Sequence, residues 1–301
     1  MIPVFPHFKK LELPDKKNVE KFTSQFPPYS DFNFVSMWVW NIKNTMNIAQ
    51  LNGNLVVLFT DYVSGDSFLS FVGNKKIQET ATELILYSKQ HLQKDYLKLI
   101  PEEIALSFKS KDVSFSVKTD RDSYDYVYLS EHLEEMPLWK KNSCTESLKK
   151  FLKKYPEYTV KENSIQSIDK EEYRKLFHIW SQEKHFNNAY DLNEYKAFQR
   201  FLDLKYKNLL FVSIYLKGML AGFSAYEILT NGYAMAHFSK GDVKDYPGIY
   251  NLLNWEEARV FHRKGVRFLN WEQDLGIAGI RYSKEKYKPY FLMKKLLVSL
   301  V

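Results

Sequence analysis

One residue in 301 is a cysteine, Cys144, which excludes an intrachain disulfide and any cysteine-rich zinc module. Glycine and proline are also scarce, at 11 and 10 residues, which argues against a collagen-like or linker-rich architecture. Long apolar runs are missing. The longest, Leu55–Phe59 and Leu209–Leu216, fall well short of the roughly 20 residues a membrane span requires, and Ser213 interrupts the second. The first residues, Met1–Phe8, have no basic stretch followed by an apolar one. The expectation is therefore no signal peptide, no transmembrane segment and a cytoplasmic location. Charge of one sign is not dominant either: 43 Lys plus Arg against 36 Asp plus Glu leave 43 − 36 = +7, a mild basic bias that suits an anionic substrate without specifying one.

What the chain has in abundance is rings. Phe, Tyr and Trp make up 16% of a sequence whose apolar (45%) and charged (26%) fractions are those of a globular protein. That much ring area can fill a large core or line a ligand cleft. Pro14 and Asp15 open a helix to Phe22, and Asp31–Asn41 has helical spacing. Strands are predicted at Met46–Leu51, Leu55–Thr60 and Ser67–Val72, the first two joined at Asn52-Gly53-Asn54. A helix follows over Lys75–Gln93, then strands near Leu97–Ile100, Val113–Lys118 and Tyr124–Leu129.

In the second half, Ser143 and Glu146 read as a capping box for a helix that ends at Pro156 and carries Lys149, Lys150, Lys153 and Lys154 on one face. With Lys140 and Lys141 these lysines can meet phosphates, although such a face is more often simply solvated. Helices opening at Asp169 and Asp191 follow, then a meander over Asn208–Leu216, Leu220–Leu229 and Tyr233–Phe238, with a turn at Asn231-Gly232. A helix begins at Pro247-Gly248 and stops at Gly265; a strand over Val266–Asn270, a helix over Leu275–Lys288 and a strand over Tyr290–Val301 complete the chain. His178 and His185 are seven residues apart, too far along one helix to chelate together without a third ligand, so no metal is expected.

The segment Asn270–Asp274 lies between a strand and a helix. If it is extended, Glu272 and Asp274 project on the same side. If the helix begins near Leu275, Arg281, Lys284 and Lys288 form a cationic stripe beside them. Two readings of this pattern stay open. In one, a carboxylate deprotonates an incoming amine or hydroxyl while the cations hold anionic groups. In the other, Asp274 caps the helix and the charges pair structurally. Gly248, at a helix start, offers amides to an anion in one reading and is an ordinary Pro-Gly start in the other.

The stretch Asn270-Trp-Glu-Gln-Asp-Leu-Gly-Ile-Ala-Gly-Ile-Arg281-Tyr-Ser-Lys284-Glu-Lys-Tyr287-Lys-Pro289 resembles the signature of the phosphatidylglycerol lysyltransferase C-terminal-domain family, Fem-like proteins with tandem GNAT domains. Tyr29–Trp40 and Arg121–Tyr128 resemble two further stretches of that family, so the resemblance is full-length. There are departures: Met136–Ser143 lacks the family's glycine and most of its cations, and Lys286 stands where serine is usual. No counterpart of the membrane-embedded portion of the lipid lysyltransferases is visible.

The resemblance implies an α+β fold of two tandem GNAT-like domains, 1–137 and 138–301, and the element order of the second half matches a GNAT domain. It implies transfer of an aminoacyl group, with aminoacyl-tRNA as donor, to an amine or hydroxyl acceptor such as a small molecule or a lipid headgroup. Glu272 or Asp274 would serve as base or amine anchor, and Asn270, Arg281, Lys284, Tyr287 and Gly248 would bind substrate. The alternatives are coenzyme A-dependent N-acyl transfer and a non-catalytic binding protein that keeps the fold.

Overall fold

The computed structural model describes residues 1–61, 64–108, 114–140, 142–183, 189–230 and 232–301, the side chains of 183 and 189–192 excepted. Lys141, His185 and Asn231, singled out above, lie outside the described residues, as do Val113 and the side chain of Asp191. The chain forms two compact units. One comprises Met1–Asp125, Gln273–Gly276 and Met293–Val301; the other comprises Tyr126–Glu272 and Ile277–Leu292. The sequence reading placed a single cut after residue 137; three short returns of the chain make the actual division discontinuous.

In chain order the first half contains β1 (Lys9–Lys10), α1 (Lys16–Thr23), α2 (Phe34–Trp40), β2 (Asn47–Leu51), β3 (Asn54–Thr60), β4 (Ser67–Val72), α3 (Ile77–Leu92), β5 (Tyr96–Pro101), α4 (Glu102–Ala105) and β6 (Phe115–Thr119). Then come β7 (Asp125–Leu129), α5 (Ser130–Glu134), α6 (Ser143–Lys154), β8 (Tyr158–Ser164), α7 (Lys170–Glu183) and α8 (Ala189–Leu202). The chain closes with β9 (Leu209–Leu216), β10 (Met219–Ile228), β11 (Tyr233–Gly241), α9 (Ile249–Arg263), β12 (Phe268–Asn270), α10 (Ala278–Glu285), β13 (Phe291–Met293) and β14 (Lys295–Leu300).

The first unit holds a four-stranded sheet, β1-β2-β3-β4, and a three-stranded one, β5-β14-β6. Its interior contains a lysine. Lys295 is fully buried, donates to Asp31 and, at 2.7 Å, to Asp125, while the Ser30 hydroxyl donates to Asp125 at 2.6 Å. A buried ammonium needs such partners, because desolvation alone would strip its charge.

The second unit is built on a seven-stranded sheet in the order β13-β7-β12-β11-β10-β9-β8. The β8–β11 meander is antiparallel, and β12 pairs with β11 in parallel. On one face, α7 and α8 bring Tyr173, Phe177 and Phe198 against Phe211 and Phe223, with Phe198 and Phe223 stacked at 5.4 Å. Much of the ring content therefore forms core. On the other face, α9 buries Ile249, Leu252, Leu253, Val260 and Phe261.

Four local expectations change. The cap of α6 is Asn142, whose side chain accepts from the Cys144 amide at 2.7 Å, so Ser143 is the first helical residue rather than the cap. β8 is an edge strand with a largely polar, partly exposed sequence, so no apolar alternation announced it. The last helix starts at Ala278, not Leu275, because Leu275 (φ 56°) and Gly276 (φ 73°) are left-handed. A Cβ at Gly276 would lie 2.7 Å from Asp122 Oδ2, so that turn demands glycine. The final strand is broken at Lys294 into β13 and β14, which lie in different sheets.

Candidate active site

Strands β11 and β12 pair only over Tyr233–Met235 and Phe268–Asn270, after which β11 continues to Gly241 without this neighbour. The pairing of two parallel strands thus ends at their carboxyl ends, the position at which open α/β sheets commonly bind ligands. Within β11, Ala236 pairs with Tyr226 and Phe238 with Ala225, leaving His237 as the extra residue of a β-bulge. Bulges re-aim side chains and are common beside active sites.

His237 is so aimed that Nδ1 lies 3.4 Å from Glu272 Oε1 and Nε2 lies 3.8 Å from Glu227 Oε2. The imidazole is fully enclosed, whereas the Glu272 side chain keeps 18% of its surface exposed. Burial pulls the His237 pKa down, but the two carboxylates outweigh it and lift it to about 9. At neutral pH the site is an imidazolium between two acids, with Glu272 the member that faces out.

The backbone at Glu272 is strained. Its φ is +56°, a left-handed conformation that costs a non-glycine residue about 1–2 kcal/mol. Asn270 Oδ1 accepts from the Glu272 amide at 2.8 Å, and Lys284 Nζ, from α10, donates to the carbonyls of Trp271 and Glu272. The carbonyl of Lys284 in turn accepts from Tyr128 Oη at 2.8 Å. Trp271 turns the other way: its indole Nε1 donates to Tyr226 Oη at 2.9 Å, and Tyr226 donates to Glu257 Oε1 at 2.6 Å. Burial raises the Glu257 carboxyl to about 7, despite the hydrogen bonds that favour its charged form.

Of the residues chosen from sequence, Asn270, Glu272 and Lys284 come together here. Tyr287 is buried and donates to Asn251 Oδ1 at 2.7 Å. Arg281 lies one turn before Lys284 on α10, partly exposed. Gly248 is the left-handed N-cap of α9, where a Cβ would meet Ser147 Oγ at 3.0 Å. Asp274 has other partners: it belongs to the first unit, is fully buried, pairs with Arg121 at 3.3 Å and accepts from the Gly276 amide at 2.9 Å. The alternation that would have put both acids on one side fails because Glu272 is not extended. Lys288 also leaves the expected stripe, since α10 ends at Glu285.

Sequence reasoning passed over His237, Glu227 and Glu257. The available signal was polarity in the wrong place: an acid and a histidine inside apolar strands, and an acid on the buried face of α9.

The chain matches the family described as phosphatidylglycerol lysyltransferase, C-terminal, over residues 23–298. It belongs to this family. Family and fold together point to acyl or aminoacyl transfer. Among solved structures, a conserved protein of unknown function from Bacteroides thetaiotaomicron is similar with TM-score 0.80 and 21% identity, 100% of each chain being covered. L-PGS from Bacillus licheniformis is similar with TM-score 0.62 and 14% identity, over 97% of this chain and 93% of that one. FemX is similar with TM-score 0.54 and 9% identity, over 98% and 97%. A search of curated proteins returned no match. The fold of this family member is accordingly α+β and of the tandem GNAT kind. No helix among its described residues is long and apolar enough to cross a membrane.

Proposed function

We propose that this family member transfers an aminoacyl group from aminoacyl-tRNA to an amine or hydroxyl acceptor, with Glu272 as the proton-transfer group. The observation that carries the reading is the pairing of a partly exposed Glu272 with a protonated, enclosed His237 where β11 and β12 part. The Glu272 carboxylate takes the proton of the attacking amine or hydroxyl. The nucleophile then adds to the ester carbonyl, and the tetrahedral intermediate expels the terminal ribose hydroxyl of the tRNA, which leaves with the proton Glu272 had accepted. His237 does not reach substrate; its positive charge, 3.4 Å away, orients the Glu272 carboxylate. Arg281, partly exposed on α10, is the group offered to substrate phosphate or carboxylate. Lys284 and Asn270 hold the Glu272 turn.

The test is release of radiolabel from a mixture of charged tRNAs incubated with purified protein and amine acceptors, wild type against Glu272→Gln. Label transferred by the wild type and not by the variant supports the reading. The family's fold also suits a thioester donor, with the left-handed Gly248 and the first amides of α9 facing the pyrophosphate. Saturable transfer from acetyl-CoA, with charged tRNA inert, would move the assignment there. Absence of turnover with either donor would leave a binding protein.

A further inference from the structure

Glu257 is not needed by the chemistry above, yet it is an expensive residue to keep. It lies on α9 with 1% of its surface exposed, and its Oε2 has no hydrogen-bond partner among the described residues. A carboxyl group taken out of water costs a fold stability, and an apolar residue would pack there at less cost. What Glu257 does is take the Tyr226 hydroxyl at 2.6 Å, which takes the indole N–H of Trp271 at 2.9 Å. The chain of contacts ends on the residue immediately before Glu272.

The two neighbours diverge. Trp271 is anchored on the α9 face, where its ring also lies 4.1 Å from that of Tyr128. Glu272 reaches His237, which contacts Phe201 of α8 on the opposite face. Tyr226 and Glu227, successive residues of β10, supply the anchor for each. With the Glu272 backbone in a left-handed conformation, the direction of its carboxylate follows from where the preceding side chain is fixed.

We propose that Glu257 is a positioning residue of the transfer site: through the Tyr226 hydroxyl it fixes the Trp271 indole and so sets the turn that presents Glu272. This rests on the reading of Glu272 as the proton-transfer group. A displacement of about 1 Å in a catalytic group can cost on the order of a hundredfold in rate, so a distant anchor can matter without touching substrate.

The experiment uses the full chain labelled with fluorotryptophan, in which Trp271→Phe identifies one of six resonances by fluorine NMR. Glu257→Leu, which removes the acceptor, and Tyr226→Phe are each expected to shift that resonance and leave the others in place. Both are expected to lower kcat for label release from charged tRNA by about tenfold to a hundredfold, with KM within about twofold. Tyr226→Phe removes a single oxygen and carries the test if Glu257→Leu does not fold. An unmoved Trp271 resonance, or a moved one with unchanged kcat while Glu272→Gln abolishes transfer, would overturn the positioning role alone. Undiminished transfer by Glu272→Gln would overturn the site reading, and this proposal with it.

Discussion

Glu272 Oε1 stands 3.4 Å from His237 Nδ1, and the two residues reach that contact from strands whose pairing has just ended. One partner is sealed in the protein and the other is partly open, so charge is held on one side and made available on the other. Consequences for rate and stability follow from this division.

Glu272→Gln removes the proton acceptor but keeps the shape. Transfer is expected to fall by about 10²–10⁴-fold, the usual contribution of a positioned acid or base, with a fall in Tm at neutral pH as the His237 charge loses a partner. The same variant withdraws one of the charges that raise His237, so the histidine titrates below its wild-type value of about 9. Imidazole NMR titration would check this; an unmoved midpoint would contradict the pairing.

His237 links stability to pH. Its pKa is raised from 6.5 to about 9 on folding, so its stabilisation is complete below 6.5 and disappears as pH rises through 9. The contribution at full protonation is on the order of 3 kcal/mol. Unfolding free energies of wild type and His237→Gln should therefore differ most near neutral and mildly acidic pH and converge above the folded-state value. A difference independent of pH would show that packing, not charge, is responsible.

Glu257 has the same sign with a different window. Folding raises its pKa from 4.5 to about 7, so the fold loses stability as pH climbs between these values and nothing further above them. Glu257→Gln, which cannot ionise, should gain stability relative to wild type across that interval and hold the gain at pH 8. Denaturation midpoints at mildly acidic and mildly alkaline pH would measure it.

Lys284→Ala withdraws the ammonium from the carbonyls of Trp271 and Glu272 and leaves the left-handed turn without its clamp. A loss of about 1–3 kcal/mol is expected, with faster amide exchange confined to the turn. Uniformly faster exchange would instead mean that Lys284 supports the unit as a whole.

In the first unit, Lys295→Met strands Asp31 and Asp125 without their cation. Breaking a buried ion cluster on one side costs about 3–5 kcal/mol. Restoration of stability by the further change Asp125→Asn would separate lost charge pairing from lost packing.

Much of the fold was legible along the chain. The meander over β9–β11 announced itself by apolar runs around a Lys217-Gly218 turn, and α9 by its Pro-Gly start and Gly265 stop. Such signals are local, because hydrophobic spacing and turn chemistry are properties of neighbouring residues. β8 was silent because an edge strand has little to bury. The site was half legible: Asn270, Glu272 and Lys284 hydrogen-bond within one turn, while Asp274 pairs with Arg121 instead. The left-handed backbone at Glu272 breaks the alternation expected between the two acids, and a glutamate does not advertise it.

By itself the amino-acid order determined the absence of an intrachain disulfide, the want of any run long enough to span a membrane, most of the order of helices and strands, and the motif that places the chain in its family. Tertiary structure alone decided which ionisable groups meet. His237, Glu227 and Glu257 are scattered through strands and a helix, and the charge states of His237 and Glu257 come from burial and from partners distant in sequence. Desolvation and Coulomb attraction act through space, and no pattern along the chain reports them before the strands pair.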